Sequence, residues 1–304
     1  MIGTVPEIPD LTVYIECLEA RCTGHRLEKI RLASPTLLRS VDPPLALCEG
    51  RRVAGLRRLG KRIVFALEDE LFLVFHLMIA GRFRWRARGA RPARKGGLAA
   101  LDFEGGTLLL TEASTRKRAT LHALRGEAAL ALHDPGGLEV FGASPAAFAE
   151  RLRSQNRTLK RALTDPHIFA GIGNAYSDEI LHRARLSPVT LSRKLDEAQV
   201  ERLRHACVEV LEEWTERLRA QTGDGFPDKV TAFRPEMAVH GRYAEPCPDC
   251  GAPVQRIVYA SNETNYCAPC QTGGKLLADR ALSQLLKKDW PRSLEELETR
   301  KRSA

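Results

Sequence analysis

The sequence lacks any run of 18 or more apolar residues, so no membrane-spanning helix is expected. It also lacks the apolar core of a signal peptide near its N-terminus, where Glu7 and Asp10 stand instead. There is no internal repeat, and the one compositionally biased stretch is an Arg/Gly-rich segment at 86–97 that reads as a loop. These absences favour a globular protein that remains in the cytoplasm.

Acidic residues are outnumbered, with 38 Asp and Glu against 47 Lys and Arg, a net charge of +9 and a pI of about 9.3. A hydrophobic content of 43% is enough for a core of ordinary size. The basic excess suggests a polyanionic partner, either a nucleic acid or a membrane surface. A basic protein without such a partner would have the same composition.

The eight cysteines do not form the pattern of a disulfide-stapled protein. Four of them fall in apolar, periodic segments and are expected to be small buried hydrophobes: Cys17, Cys22, Cys48 and Cys207. The other four are clustered near the C-terminus. This usage is typical of a reducing compartment and a single metal site.

The clustered cysteines form two Cys-x-x-Cys pairs separated by sixteen residues. Each pair can point two thiolates at one ion, and two pairs complete the tetrahedral set of a structural Zn²⁺ site. The segment between them has β-forming ends and a polar middle, which predicts a hairpin with its tip near residues 261–263. The predicted zinc ligands are Cys247, Cys250, Cys267 and Cys270.

Hydrophobic periodicity divides the rest of the chain. Apolar residues at helical spacing predict a helix from Asp10 towards Leu27. Short β-rich segments then predict a sandwich or barrel, with strands at 27–32, 62–67, 71–77, 81–86, 98–103 and 107–111.

Helical patterns follow residue 137. Ser144-Pro145 is a helix start, a Gly-rich break at 171–174 precedes a helix at 175–184, and a long helix is predicted at 196–220. The sequence therefore predicts an α+β protein. Its expected parts are a β-sandwich domain with a leading helix at 5–125, a helical domain at 135–222, a zinc hairpin at 243–273 and a charged tail at 291–304.

Three motifs in combination resemble the formamidopyrimidine-DNA glycosylase / endonuclease VIII family of bifunctional base-excision repair enzymes. They are Pro6-Glu7-Ile8-Pro9-Asp10, Gly171-x-Gly173-Asn174-x-Tyr176, and the four-cysteine hairpin followed by Gln271. The resemblance implies a helix-two-turn-helix DNA-binding domain and a C-terminal zinc finger. It also implies a DNA glycosylase with AP-lyase activity on oxidised or ring-opened bases, acting as a monomer on damaged double-stranded DNA in the bacterial nucleoid.

The resemblance also implies roles for individual residues. Pro6 corresponds to the family's amine nucleophile, Glu7 to its acid and Lys61 to a lysine that contacts the phosphate beside the lesion. Asp10 matches a second acid, which we expect to cap the first helix. The residues expected to contact DNA are Asn174, Lys160, Arg116 and Asn262.

The sequence departs from the family pattern at three places. Ile79 stands where the family has a wedge methionine, Arg118 stands in place of an aromatic wedge beside Arg116, and Asn262 replaces a phosphate-binding arginine. An amide lacks the charge and the bidentate fork of a guanidinium. Two alternatives therefore stay open: a DNA-binding protein that keeps the fold without catalysis, and an RNA-binding protein, which only the charge supports.

Residues 1–4 conflict with the proline chemistry, because an interior proline nitrogen is an amide with no lone pair available for attack. Val5 lies where a GTG start codon would place the initiator methionine, and its removal would leave Pro6 as the first residue. We therefore expect residues 1–4 to be absent from the mature protein.

Overall fold

The computed structural model describes residues 5–227, 230–259, 262–277, 291, 293–296 and 299. The expectations for residues 1–4 and for most of the tail at 291–304 lie outside these residues. The chain forms two compact units. One joins the chain up to Gly137 with Glu212–Thr231, and the other joins Leu138–Leu211 with the described residues from Ala232 onward.

The first unit begins with helix α1, Ile8–Cys22. Its buried face contains Leu11, Tyr14 and Leu18, at the spacing that the sequence predicts. The helix ends earlier than predicted, because Thr23 adopts an extended backbone and its N–H caps the carbonyl of Glu19. The residues after Thr23 lead directly into the first strand.

Eight strands of the first unit form two antiparallel four-stranded sheets. The sheet orders are β1-β6-β7-β5 and β2-β3-β4-β8, and side chains from both meet in one core, where the Phe75 and Phe83 rings lie 5.2 Å apart. The predicted sandwich is confirmed. The strands are β1 Leu27–Leu32, β2 Val53–Leu59, β3 Arg62–Leu67, β4 Leu71–His76, β5 Gly81–Arg86, β6 Gly97–Phe103, β7 Gly106–Glu112 and β8 Thr120–Arg125.

The sequence analysis missed β2 and β8. β2 is an edge strand whose pairing with β3 shifts register between Val53 and Gly55, so its buried residues do not alternate. β8 follows a loop rich in charged residues. Its buried and more exposed residues do not alternate over the whole strand, as those of a half-buried strand would. Both strands are therefore recognised from the strands that they pair with, and not from the hydrophobic pattern of their own sequence.

Helices dominate the first part of the second unit, as predicted. After a short α2, Glu127–Ala131, in the first unit, the helices are α3 Pro145–Arg153, α4 Leu159–Thr164, α5 Asn174–Arg183 and α6 Glu197–Thr222. Ser144 caps α3, because its Oγ accepts the N–H of Ala147 at 3.2 Å. Helix α6 contributes residues to both units.

The second unit ends in the predicted hairpin. Strands β9, Gln255–Tyr259, and β10, Asn262–Tyr266, pair in antiparallel register, and helix α7, Ala268–Thr272, follows them. The two residues at the hairpin tip lie outside the described residues. Among the described helices, none combines the length and the apolar character that crossing a membrane requires.

Candidate active site and nucleic-acid interface

Pro6 and Glu7 lie at the N-terminus of α1, and both are buried. Glu7 and Asp10 form a reciprocal capping box: the Glu7 N–H donates to Asp10 Oδ2 at 3.3 Å, and the Glu7 carboxylate accepts the backbone N–H of Asp10. The expectation that Asp10 caps the helix is therefore confirmed. The box fixes the backbone that presents Pro6 and Glu7.

Lys61 occupies the two-residue turn between β2 and β3, after Gly60 at φ 57°. Helix α1 packs against these two strands in the same unit. The turn places Lys61 next to His76, which pairs with Arg62 across β3 and β4. Burial, followed by the positive charges of Arg62 and Lys61, lowers the pKa of His76 to about 4. His76 is therefore neutral at pH 7.

His76 was not singled out from the sequence. It is the one polar residue in the otherwise apolar segment 71–77. This is a weak signal, because the sequence does not show that two cations flank the histidine. Clusters of perturbed titratable groups often mark functional sites. His76 therefore lies beside the two cations Lys61 and Arg62.

The turn after β4 presents Ile79, the residue at the family's wedge position. Met78 has a positive φ of 53°, and a Cβ on Gly81 would lie 2.2 Å from the carbonyl oxygen of Leu77. Glycine is therefore required at position 81. The guanidinium of Arg82 donates to the Ile79 carbonyl at 3.1 Å, which fixes the turn further.

Arg116 lies exposed on the loop at 113–118. Two interactions fix this loop. The buried carboxylate of Glu112 accepts the N–H groups of Arg118 and Ala119 at 2.9–3.2 Å, and the Lys117 ammonium donates to the carbonyls of Glu112 and Ser114. The loop thus holds Arg116 at the surface, while its predicted contact with DNA stays a prediction.

Asn174 is the first residue of α5, behind the buried glycines Gly171 and Gly173. The positive end of the helix dipole at such a helix start suits a phosphate. A phosphate contact needs an accessible ammonium, but Lys160 does not lie at the surface. It is buried, and its ammonium donates to the Asn174 carbonyl at 2.6 Å and to Asp178 at 2.5 Å. The structure therefore makes Lys160 a support for the start of α5.

Two buried acids on α5 were missed by the sequence analysis. Glu179 accepts the backbone N–H groups of residues 238, 239 and 240 at 2.7–2.9 Å. Asp178 accepts Lys160, the Nδ1–H of His240 at 2.8 Å and the backbone N–H of Asn265 at 3.1 Å. The positive charge of Lys160 and these hydrogen bonds lower the pKa of Asp178 against the opposing effect of burial. Asp178 thus ties α5 to the zinc hairpin, and Glu179 ties it to the segment that precedes the hairpin.

The four clustered cysteines form the candidate metal centre. Their sulfur atoms lie within 4.8 Å of one another, with Cys247 and Cys270 at 4.0 Å and Cys250 and Cys267 at 3.4 Å. Zn–S bonds of 2.3 Å in a tetrahedron separate the sulfur atoms by about 3.8 Å. The cluster fits a zinc ion, and four protein ligands make the site structural.

Two further residues support the metal centre. The buried ring of His182, on α5, places Nε2 at 3.3 Å from the Cys247 sulfur. Gln271 accepts the Cys267 N–H at 2.8 Å and donates to the Leu186 carbonyl at 3.0 Å. Hydrogen bonds of this kind orient the ligands of a metal. The side chain of Asn262, the predicted DNA contact, lies outside the described part of the hairpin.

The chain matches three family models in succession. These are the formamidopyrimidine-DNA glycosylase N-terminal domain at 5–134, the formamidopyrimidine-DNA glycosylase H2TH domain at 139–223, and the zinc finger found in FPG and IleRS at 244–273. The Thermus thermophilus formamidopyrimidine-DNA glycosylase is 36% identical over a 279-residue alignment that covers 89% of this chain and all of that protein. The chain belongs to the formamidopyrimidine-DNA glycosylase family. The Chloroflexus aurantiacus member is 32% identical over 88% of this chain and 98% of its own length.

Solved structures of the formamidopyrimidine-DNA glycosylase family have the same fold. The Thermus thermophilus crystal structure aligns with a TM-score of 0.72 and 34% identity, covering 88% of this chain and 98% of that one. The Lactococcus lactis enzyme, bound non-covalently to DNA that contains an AP site, aligns with a TM-score of 0.75 and 26% identity over 88% and 99% of the two chains. The family assignment establishes the zinc finger and the sandwich and helical domains predicted above.

Proposed function

We propose that this chain is a DNA glycosylase with AP-lyase activity, which removes oxidised or ring-opened bases from double-stranded DNA through the amine of an N-terminal Pro6. The observation that carries the proposal is the Pro6-Glu7 pair at the start of α1, buried and fixed by the capping box with Asp10, in a formamidopyrimidine-DNA glycosylase. The match to the N-terminal family model begins at residue 5, immediately before the proline.

The chemistry requires a secondary amine at Pro6. Its nitrogen lone pair attacks the sugar C1′, the bond from C1′ to the base breaks, and the base leaves with the bonding pair and a proton. Glu7 supplies a proton to the ring oxygen as the sugar opens, which leaves an iminium between Pro6 and C1′. An α-amino group titrates near pH ~8, so a modest lowering of its pKa makes the amine available at neutral pH.

The iminium then accounts for strand cleavage. It accepts the electron pair left when C2′ loses a proton, and the 3′ phosphate departs with its C–O bond pair. A second elimination expels the 5′ phosphate, and water releases the amine from the remaining sugar. Lys61, in its turn beside His76, is assigned to the phosphate beside the lesion.

The base and its sugar are inaccessible in a stacked duplex, so the nucleotide must be extruded. Ile79 and Arg116, each on a loop fixed by hydrogen bonds, are assigned to the vacated stack. An apolar side chain and a guanidinium are groups that can replace an extruded base. Asn174, at the start of α5, is assigned to a backbone phosphate.

The test is borohydride trapping on DNA that contains an abasic site. A protein that begins at Pro6 should form a covalent adduct. A protein that retains residues 1–4 should not, because the Pro6 nitrogen is then an amide. An adduct of equal yield from the protein that retains residues 1–4 would refute the assignment of the Pro6 amine.

A second candidate is a DNA-damage-binding protein with reduced catalysis. The substitution of Asn262 for the family's arginine favours it, because the phosphate contact then loses its charge. Tight binding to abasic DNA without an adduct, from a protein that begins at Pro6, would support this second candidate.

A further inference from the structure

The Arg/Gly-rich segment between β5 and β6 is a folded loop, which we name the basic loop, residues 87–96. Inside it, the Ala90 N–H donates to the Ala87 carbonyl at 3.1 Å. Two bonds attach it to the sheet: Arg31 Nη2 donates to the Ala90 carbonyl at 2.7 Å, and the Gly89 N–H donates to Thr107 Oγ1 at 2.9 Å. The loop therefore presents its side chains from a fixed backbone.

Four cations project from the basic loop, and one of them is neutralised. Arg88 pairs with Glu28 at 2.8 Å. Arg91, Arg94 and Lys95 are exposed and make no ion pair with any described residue. No acidic residue occurs between positions 87 and 97. Three like charges within five residues repel one another, so they stay without compensation unless an anion binds.

The end of the basic loop meets the loops that carry Ile79 and Arg116. The Gly96 carbonyl accepts the N–H of Glu112 at 2.7 Å, and Glu112 pairs with Gly81 across β7 and β5. Gly81 closes the turn of Ile79, and Glu112 begins the loop of Arg116. The C-terminal end of the basic loop thus lies at the same corner of the sandwich as the loops of Ile79 and Arg116.

We propose that Arg91, Arg94 and Lys95 bind the phosphate backbone of duplex DNA beside the extruded nucleotide. The inference rests on the proposed function, which places DNA at the corner formed by the Ile79 and Arg116 loops. Cations spaced along an exposed loop match a row of phosphates, and such contacts position the protein without reading the sequence. The small residues beside the cations, Gly89, Ala90, Ala93 and Gly96, leave the backbone room to approach the duplex.

The test compares two triple variants by the salt dependence of DNA binding. The first is Arg91→Ala, Arg94→Ala and Lys95→Ala. The control removes three exposed cations dispersed over the chain, Lys29→Ala, Arg125→Ala and Lys194→Ala, so both variants lose the same charge. Dissociation constants are measured between 50 and 300 mM NaCl on a duplex with a stable abasic-site analogue and on the undamaged duplex. Melting temperatures confirm that both variants fold.

The loop variant should lower the slope of log K against log salt by about 2–3, since each phosphate contact contributes about 0.9. Its affinity should fall ~10-fold or more at 0.1 M salt on both duplexes. Equal slopes for the loop variant and the dispersed control would overturn the inference.

The failure of this inference can be distinguished from a failure of the proposed function. If the wild-type protein that begins at Pro6 forms the borohydride adduct and the loop variant keeps the wild-type slope, only the role of the basic loop is wrong. If the wild-type protein neither binds nor traps abasic DNA, the proposed function is wrong, and the basic loop inference falls with it.

Discussion

At the scale of single residues, ionisable groups are buried beside the proposed chemistry. His76 is the clearest case, because burial and two neighbouring cations lower its pKa to about 4. An imidazole that is neutral at pH 7 adds no third positive charge next to Lys61 and Arg62. The lysine therefore keeps its charge for a phosphate without further repulsion.

His76 should make the fold sensitive to acid. Its pKa in the folded state lies below the ordinary value of 6.5, so the unfolded chain takes up the proton first. Its contribution is complete above pH 6.5 and is lost as the pH falls towards 4. After screening by solvent, we expect roughly 1–2 kcal/mol for this loss. Urea unfolding at several pH values should show it as a shrinking difference between wild type and His76→Gln.

The exposed His25 provides the control for this experiment, since its ion pair with Glu104 is long, at 4.0 Å. His25→Gln should change the free energy of unfolding little at any of these pH values. If His76→Gln and the wild type lose stability in parallel between pH 6.5 and 4, the imidazole of His76 is not held in its neutral form by the fold.

The role of a single residue could be predicted only where that residue belongs to a sequence motif. The roles proposed for Pro6 and Glu7 rest on a contiguous motif, and the capping box confirms the role expected for Asp10. The environments of His76 and Asp178 depend on residues brought close by the tertiary fold. Lys160 illustrates the limit, because its position in the sequence suggested a surface phosphate contact while its ammonium is buried on Asp178.

At the scale of elements, helix α5 connects Asn174, the proposed phosphate contact, to the metal centre. It begins at Asn174, and its buried side chains Asp178, Glu179 and His182 all contact the residues at 238–265 around the zinc site. Residues 178, 179 and 182 lie on one side of a helix, because they are separated by one and three positions. The metal therefore stabilises the helix as well as the hairpin.

His182 should slow the release of zinc. Its Nε2–H can donate to the Cys247 thiolate, and removal of such an outer partner typically costs 10–100-fold in metal affinity. A His182→Phe variant keeps the buried volume and removes the donor. We expect zinc release to a chromogenic chelator to be ~10-fold faster, and the thiolate-to-cobalt charge-transfer band of the Co²⁺-loaded protein to shift.

His205→Phe serves as the matched control, since this histidine is exposed on α6, away from the four cysteines. It should leave both the release rate and the cobalt spectrum unchanged. An unshifted charge-transfer band in His182→Phe would show that the ring only fills space beside Cys247.

Helices and strands were predicted best where the apolar residues of the element itself have the expected spacing. Strands β1, β3 and β5 have the predicted bounds, since each is short, apolar and bordered by turn residues. Strands β2 and β8 were missed because their burial comes from neighbouring strands. The end of α1 was placed too late, because helical spacing cannot reveal that Thr23 turns to an extended backbone.

At the scale of the whole molecule, the chain folds as two units that each have a buried interior of their own. Glu179 is central to the second unit, because one carboxylate accepts three consecutive backbone N–H groups. Burial raises the pKa of Glu179, while the three N–H donors favour its ionised form, in which each of these bonds is stronger than a neutral pair.

Glu179→Gln should therefore destabilise the second unit. An amide oxygen carries less charge, and its NH₂ group faces donors instead of acceptors, so at least one buried N–H loses its partner. We expect a cost of about 2–4 kcal/mol. Hydrogen exchange should speed up at residues 238–240 and in α5, with little change in the sandwich core.

Glu197, whose side chain is 81% exposed, gives the comparison. Glu197→Gln removes an equal charge from the second unit and should change hydrogen exchange little. Acceleration of equal size in the sandwich and in the second unit after Glu179→Gln would contradict the division of the chain into two separately stabilised units.

The hydrogen bonds of Glu179 also have an evolutionary consequence. A main-chain amide offers the same hydrogen whatever side chain is attached to it, so the three bonds to Glu179 survive any substitution at positions 238–240 other than proline. Selection should act instead on Glu179, because this one side chain accepts all three N–H groups. Distant relatives should therefore be recognised by the acidic pair on α5 even where the segment that the pair organises has diverged beyond alignment.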